Sequence, residues 1–267
     1  MFAGLALHTW TLDTTPLPEV LGVARRTGWD AIELRRLDFQ RAAEQGDPAD
    51  AVLERVRKSG LAVACVGAER GWMFARGPER RRLLAAFAES CRWARALGCG
   101  TVMSPVDHGR GDPAEAAASL REAGDLAAGQ GVRLALEWNC LAEQFNTLER
   151  TREVLARAGH PRCGLLFDTY HFQRSGGQLR DLDGLRAEEL AYVQYSDVPR
   201  QGGAPDGTLD RLPPGEGQVP FAALFARLAG RYAGFLSYEA PNPAAWALPP
   251  AQVAEAALQA TRRVLPG

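Results

Sequence analysis

Four side chains that carry oxygen donors stand late in four short apolar runs of this 267-residue chain. The runs and their donors are LALEWN with Glu137, GLLFDTYH with Asp168, AYVQYSD with Gln194 and GFLSYEAP with Glu239. A lone charge in an apolar interior costs several kcal/mol or more, so a carboxylate is a poor residue for a buried strand. One such interruption is what a strand reaching water would show. Four in succession indicate strand ends that converge on one cation.

The remaining pattern predicts the scaffold that would position these donors. Short apolar runs alternate with longer amphipathic segments, which is typical of repeated βα units and a parallel sheet. Eight strands are predicted, in the runs FAGLALHTW, DAIELR, LAVACVGA, TVMSPV, RLALEW, CGLLFDTYHF, AYVQYSD and FLSYEA. Eight helices are predicted, at 18–27, 48–59, 78–97, from 113, after 147, and at 179–190, 220–228 and 249–264.

A closed ring of these units is favoured over an open sheet. An open, doubly wound sheet that binds a dinucleotide carries G-x-G-x-x-G after its first strand, and this chain does not. We therefore predict an α/β fold, a single (β/α)8 TIM barrel that spans residues 1–267 as one domain. The active site of such a barrel lies at the C-terminal strand ends, where donors on strands five to eight are neighbours. The alternative is a set of helix-capping acids and surface salt bridges.

The chain resembles the xylose isomerase-like TIM barrels. The resemblance rests on Glu137, the runs DTYHF and VQYSD, PPGEG in the following loop, and Glu239, and it extends over nearly the whole chain. It implies metal ligands at Glu137, Asp168 and Glu239, with Gln194 at the position that many members fill with His. An all-oxygen set favours one divalent cation, Mn²⁺ or Mg²⁺ rather than Zn²⁺. Some dehydratases of the family also have Gln there, so the departure does not imply an inactive site.

The resemblance also implies roles for the surrounding residues. Glu137 and Glu239 would be the acid–base pair of an epimerase, and His171 would transfer a proton, above all in a dehydratase. A guanidinium suits a carboxylate or a phosphate, and other polar residues follow the predicted strands at the mouth. We predict as substrate-binding residues His8, Glu33, Arg70, Arg174 and Arg211. Arg211 lies in the longest irregular stretch, 199–217, which we interpret as a lid or a binding loop.

Three functions remain open at this point. The first is a divalent-metal-dependent isomerase or epimerase of a sugar or sugar phosphate, acting by proton abstraction next to a carbonyl that the cation polarises. The second is a metal-dependent dehydratase of a cyclic hydroxy-ketone of the 3-dehydroshikimate or inosose type, which Gln194 and Arg70 favour. The third is a sugar-binding barrel without activity, against which the three acidic ligands and His171 argue.

Composition narrows the partners and the compartment. The net charge of −1 and the four histidines do not favour nucleic acid, and they argue against the endonuclease IV branch of the family. No apolar run approaches the roughly 20 residues that span a bilayer, and the first residues lack the pattern of a signal peptide. Five cysteines without CxxC spacing indicate buried thiols in a reducing compartment. We expect a cytoplasmic protein with a small hydroxy-ketone substrate, and we leave a homo-oligomer open.

Overall fold

The computed structural model describes residues 1–201 and 208–265. Eight parallel strands pair in sequence order, and the last pairs with the first, so the sheet is a closed barrel. The strands are β1 Gly4–His8, β2 Ala31–Leu34, β3 Ala62–Gly67, β4 Thr101–Pro105, β5 Arg133–Glu137, β6 Cys163–Asp168, β7 Leu190–Tyr195 and β8 Phe235–Tyr238. The predicted (β/α)8 TIM barrel is confirmed, and the open sheet is excluded.

Helices surround the barrel. They are α1 Leu17–Thr27, α2 Arg36–Glu44, α3 Ala49–Ser59, α4 Gly77–Ala96, α5 Pro113–Gly129, α6 Leu148–Ala158, α7 Thr169–Arg174, α8 Phe221–Leu228, α9 Pro243–Trp246 and α10 Pro250–Val264. The Asp112 side chain accepts the Ala114 N–H at 2.7 Å and caps α5, while Gly60 ends α3 with a left-handed φ of 72°. Within the described ranges, none of the helices has the length and apolarity needed to cross a bilayer.

The predicted helix at 179–190 is wrong. That stretch forms two short 3-10 turns, Leu179–Leu182 and Ala187–Glu189, and Leu190 already begins β7. Each turn is closed by an acid that bonds back to the chain, since Asp181 accepts the Gln178 N–H at 2.8 Å and Glu189 accepts the Arg186 N–H at 2.9 Å. Such side-chain bonds offer the backbone an alternative to a continuous helix.

The barrel interior is built in layers, and this layering positions the site. The apolar layer consists mainly of small side chains: Ala6, Ala31, Ala64, Cys65, Met103, Ala135, Leu166 and Tyr192. Successive residues of a strand point to opposite faces, so the residue two positions later faces the interior again. On five strands that next residue is polar: His8, Glu33, Glu137, Asp168 and Gln194. A polar layer therefore lies above the apolar one, toward the C-terminal strand ends.

A larger apolar core fills the space between the barrel and the helices. Leu134, Leu136, Leu165 and Phe167 face outward from β5 and β6 and are buried in it. Each fully buried side chain of this kind contributes about 1.5–3 kcal/mol relative to an exposed one. The barrel is thus a rigid frame on which the polar layer is held.

Candidate active site

A cavity of about 540 Å³ opens at the C-terminal end of the barrel. Its walls include Glu137 of the polar layer, His171 of α7 and Glu239, which follows β8. His8, Arg70 and Arg211, three of the residues predicted to bind substrate, also line it. The volume lies within the range of roughly 300–1,000 Å³ that is common for small-molecule sites.

Arg211 connects two of the predicted metal ligands. Its Nη1 donates to Asp168 Oδ2 at 2.7 Å and to Glu239 Oε2 at 3.0 Å. The Arg211 side chain is buried, and its guanidinium carbon lies 4.4 Å from the centroid of the Tyr170 ring. One guanidinium does not balance the three carboxylates Glu137, Asp168 and Glu239, so the cluster keeps a deficit of positive charge.

This deficit is visible in the protonation of the cluster. Burial, reinforced by the charges of Glu239 and Asp168, raises the pKa of Glu137 well above its usual range. Burial likewise raises the pKa of Glu239 to about 7, although Arg211 acts in the opposite direction. At Asp168 the burial effect is opposed by Arg211, which holds the pKa of that carboxyl below its ordinary value. A cation near Glu137 and Glu239 would favour their ionised forms.

Two imidazoles face this cluster from opposite sides. His8 Nε2 lies 3.3 Å from Glu239 Oε1, and its Nδ1 accepts the Trp10 N–H at 3.0 Å, so the neutral ring carries its proton on Nε2. His171 Nε2 lies 3.8 Å from Glu137 Oε1. Burial lowers the pKa of His171 to about 3 and that of His8 well below its usual value, so both rings are neutral near pH 7. The cluster therefore has a neutral imidazole within 4 Å of each of Glu137 and Glu239, and His171 Nε2 also lies 3.3 Å from Arg211 Nη2.

The same residues offer ligands to a divalent cation. One ligand atom from each of Glu137, Asp168 and His171 can be chosen so that all three lie within 4.8 Å of one another. Glu137 Oε1 and Gln194 Oε1 are buried and have no hydrogen-bond partner. Buried acceptors without partners are rare and costly, and a cation would satisfy both. The donor set thus fits a divalent metal ion.

Two of the residues predicted to bind substrate lie elsewhere. Glu33 is 0% exposed and contacts Gln194 and Tyr192 beneath the cavity. Arg174 lies at the end of α7, where it forms an ion pair with Asp210 and donates to the Tyr170 hydroxyl at 3.2 Å. The run DTYHF was interpreted as continuing the strand, with Arg174 in the loop that follows, whereas α7 begins at Thr169 and turns Arg174 away from the mouth.

The sequence reasoning did not single out Asp197, which holds the loop that carries Arg211. Its carboxylate accepts four backbone N–H groups at 2.8–2.9 Å, those of Val198, Gly215, Gly217 and Val219. An antiparallel bridge joins Asp197 to Leu212, next to Arg211. The signal was present as an acid that follows β7 and precedes a loop rich in glycine. Residues 202–207 of the predicted binding loop lie outside the described part of the chain.

Comparisons with known proteins agree with this geometry. The family model described as xylose isomerase-like TIM barrel matches residues 21–264. A 3-dehydroshikimate dehydratase of Pseudomonas aeruginosa is 28% identical over 238 residues, which cover 85% of this chain and only 36% of that protein. An inosose isomerase of Bacillus velezensis is 24% identical over 239 residues, covering 82% of this chain and 80% of the relative.

A solved structure shares the fold over almost the full length of both chains. It is the IolI protein with a bound zinc atom, which superimposes with a TM-score of 0.87 at 20% identity and covers 98% of each chain. At this identity the likeness concerns the fold alone.

Proposed function

Because the chain belongs to the xylose isomerase-like TIM barrel family, we propose that it is a divalent-metal-dependent isomerase or epimerase of a sugar or sugar phosphate with a hydroxy-ketone group. The observation that carries the proposal is the pair of carboxylate–imidazole contacts. Glu137 with His171 and Glu239 with His8 stand on two sides of one buried cluster. Two acid–base groups on opposite sides of a substrate are what a proton transfer from one face to the other requires.

The proposed cation is held by Glu137, Asp168, Gln194 and Glu239. It would supply Lewis-acid polarisation of a substrate carbonyl, which acidifies the neighbouring C–H bond. We favour Mn²⁺ or Mg²⁺ over Zn²⁺, since these four residues contribute only oxygen atoms. The two acceptors without partners, Glu137 Oε1 and Gln194 Oε1, support the assignment.

The protein's own groups would move the proton. One carboxylate of the pair Glu137 and Glu239 takes a proton from the substrate carbon, and the other returns a proton to the opposite face or to the adjacent carbon. The neutral His8 carries its proton on Nε2, 3.3 Å from Glu239 Oε1, where it would stabilise the ionised form of that carboxyl. Arg211 holds Glu239 from the other side through Nη1. Each positioned acid or base typically contributes about 10²–10⁴-fold to the rate.

The second candidate is a dehydratase of a cyclic hydroxy-ketone. It is favoured by Gln194 and by the relative from Pseudomonas aeruginosa, which is named a 3-dehydroshikimate dehydratase. Arg70 is an exposed guanidinium on the cavity wall that could bind a substrate carboxylate. In this reaction the neutral His171 would take the proton from the substrate carbon and pass it to the leaving hydroxyl, which departs as water, whereas in an epimerase Glu239 or Glu137 returns a proton to carbon.

Exchange of substrate hydrogen with solvent tests both candidates. Purified protein with Mn²⁺ is incubated in D₂O with a panel of ketoses, ketose phosphates and cyclic hydroxy-ketones, and deuterium incorporation is measured by NMR. We expect exchange at the carbon next to the carbonyl for at least one compound. Replacing His171→Gln should slow the reaction about 10²–10⁴-fold if that imidazole transfers a proton.

Controls and product analysis separate the outcomes. His160→Gln is the matched control, because His160 contacts Asp125 and lies outside the cavity. An epimer or isomer as product supports the first candidate. Strong ultraviolet absorbance from a conjugated enone supports the dehydratase. If Mn²⁺-loaded protein exchanges hydrogen in none of these compounds, the proposal of proton abstraction next to a carbonyl is wrong.

A further inference from the structure

The two ends of the Gln194 amide lie in different surroundings. Its Nε2 donates to Glu33 Oε1 at 2.9 Å, across the interior of the barrel from β7 to β2. Its Oε1 is buried and has no hydrogen-bond partner. The amide is therefore fixed at its nitrogen and unsatisfied at its oxygen.

The position of Gln194 places it beside a predicted metal ligand. Asp168 on β6 and Gln194 on β7 are register partners in the parallel pair. Paired residues on neighbouring strands project to the same face of a sheet, and here that face is the barrel interior. Gln194 thus belongs to the same polar layer as Asp168.

Glu33 has no route to the substrate. The residue is 0% exposed and is absent from the cavity wall. Besides Gln194, it accepts the Tyr192 hydroxyl at 3.1 Å, and His8 Nε2 lies 3.7 Å from its Oε1. Its contacts are with the side chains of Gln194, Tyr192 and His8, so its effect on the site must pass through them.

The chemistry of the contact selects one of two amide orientations. Glu33 Oε1 accepts from the NH₂ group of Gln194, and once a bound cation favours the ionised form of Glu33, that carboxylate can pair with the NH₂ group and not with the carbonyl. A primary amide without such a partner can rotate and present either group. A cation is bound by the carbonyl oxygen and repelled by the NH₂ group, so orientation decides whether Gln194 is a ligand.

We propose that Glu33 is a positioning residue that fixes the Gln194 amide with Oε1 directed to the cation. The inference rests on the proposed metal site and deepens it, because it assigns a function to a buried acid that cannot touch substrate. Partners behind the ligands of a metal site typically account for about 10–100-fold in metal affinity. Because Glu33 acts through Gln194, replacing Glu33 should lower the affinity for the cation.

The test uses Mn²⁺ alone as the probe, with affinity measured by titration calorimetry on metal-stripped protein. Glu33→Gln keeps the size of the side chain but offers both a carbonyl and an NH₂ group, so it accommodates either orientation of Gln194. We expect a loss of Mn²⁺ affinity of about 10–100-fold, and a comparable loss for Gln194→Ala. In the Gln194→Ala background, Glu33→Gln should cause no further loss, which a general structural role would not predict.

Matched variants keep the test decisive. Tyr192→Phe removes a different donor to Glu33 and leaves the Gln194 contact, so its Mn²⁺ affinity should stay near that of the wild type. Glu33→Asp shortens the side chain and replaces Glu33→Gln if the latter does not fold, as judged by urea unfolding without metal.

The outcomes distinguish this inference from the proposed function. If wild-type protein binds no Mn²⁺, the proposed metal site is wrong and the inference is wrong with it. If wild type binds and Glu33→Gln binds equally well, the inference alone is overturned. Independent, additive losses in the double variant would also overturn it, since Glu33 would then not act through Gln194.

Discussion

Three buried glutamates at the C-terminal end of the barrel hold their protons far more tightly than a glutamate in water. Burial is the main cause at each of Glu33, Glu137 and Glu239, and it raises the pKa of Glu33 to about 8. In the unfolded chain these groups would release their protons near pH 4.5. At neutral pH the metal-free fold therefore binds protons that the unfolded chain does not.

This difference predicts how stability depends on pH. Where the folded state binds more protons than the unfolded state, the free energy of unfolding falls as pH rises. His8 and His171, whose pKa values are lowered, act in the opposite direction, but only below their unfolded value of 6.5. We expect metal-free protein to lose stability between pH 6.5 and about pH 8, measured by urea unfolding.

The variant Glu33→Gln removes one of the three titrations and should make this fall shallower. Saturating Mn²⁺ should weaken or reverse the trend, because the cation binds the ionised carboxylates. A free energy of unfolding that rises across the same interval in metal-free protein would contradict the assignment of raised pKa values to these glutamates.

At this scale the sequence predicted residue types better than contacts. Glu137, Asp168, Gln194 and Glu239 were recognisable because polar residues interrupt apolar runs. Glu33 was interpreted as a substrate contact because its strand position is equivalent to theirs. Its actual partners, Tyr192 and Gln194, lie on β7, and a pairing across the barrel interior leaves no trace in local periodicity.

Among the elements, the loop after β7 matters most for the site. It returns to β7 through the bridge between Asp197 and Leu212, and Asn242 donates to the carbonyl of Arg211 at 3.0 Å. The backbone at Arg211 is thereby fixed, and its guanidinium forms hydrogen bonds to Asp168 and Glu239. The carboxylate of Asp197 is the common acceptor for this loop, with four backbone N–H groups directed at it.

Replacing Asp197→Asn should destabilise the fold. The new NH₂ group would face backbone N–H donors, leaving buried donors unsatisfied at a cost of about 1–3 kcal/mol in the free energy of unfolding. The control is Asp181→Asn, since Asp181 is an exposed acid that accepts a single backbone N–H, and its effect should stay within about 0.5 kcal/mol. Equal stability of the two variants in urea would show that Asp197 does not anchor the loop.

The spacing of apolar residues predicted the strands and the longer helices. It failed for helices that are short or whose ends are set by side-chain hydrogen bonds to the nearby backbone. Helices α2, α7 and α9 were not predicted, and α7 was missed because DTYHF was interpreted as continuing the strand. Asp168 ends β6 and accepts the Tyr170 N–H at 2.6 Å, so one residue both closes the strand and caps the helix. A sequence pattern assigns each residue to one element, so it does not predict that Asp168 both ends a strand and caps the next helix.

For the molecule as a whole, closure of the barrel creates the site. His8 at the end of β1 meets Glu239 after β8 only because these two strands pair. An open sheet would leave them at opposite edges. The sequence indicated closure by the number of βα units, and the position of the donors late in their strands indicated the active end. Which side chains share a hydrogen bond depends on the ring geometry, which the pattern does not contain.

The central claim is that these strand ends form one divalent-cation site, and the stability of metal-stripped protein with and without Mn²⁺ tests it most directly. At a free Mn²⁺ concentration of about 100 times Kd, we expect the free energy of unfolding to rise by about 2.7 kcal/mol. Glu137→Gln should abolish that gain, since Glu137 Oε1 is a proposed ligand without another partner. The exposed control Glu149→Gln should retain it. No stabilisation of the wild type, or equal stabilisation of Glu137→Gln, would contradict the account.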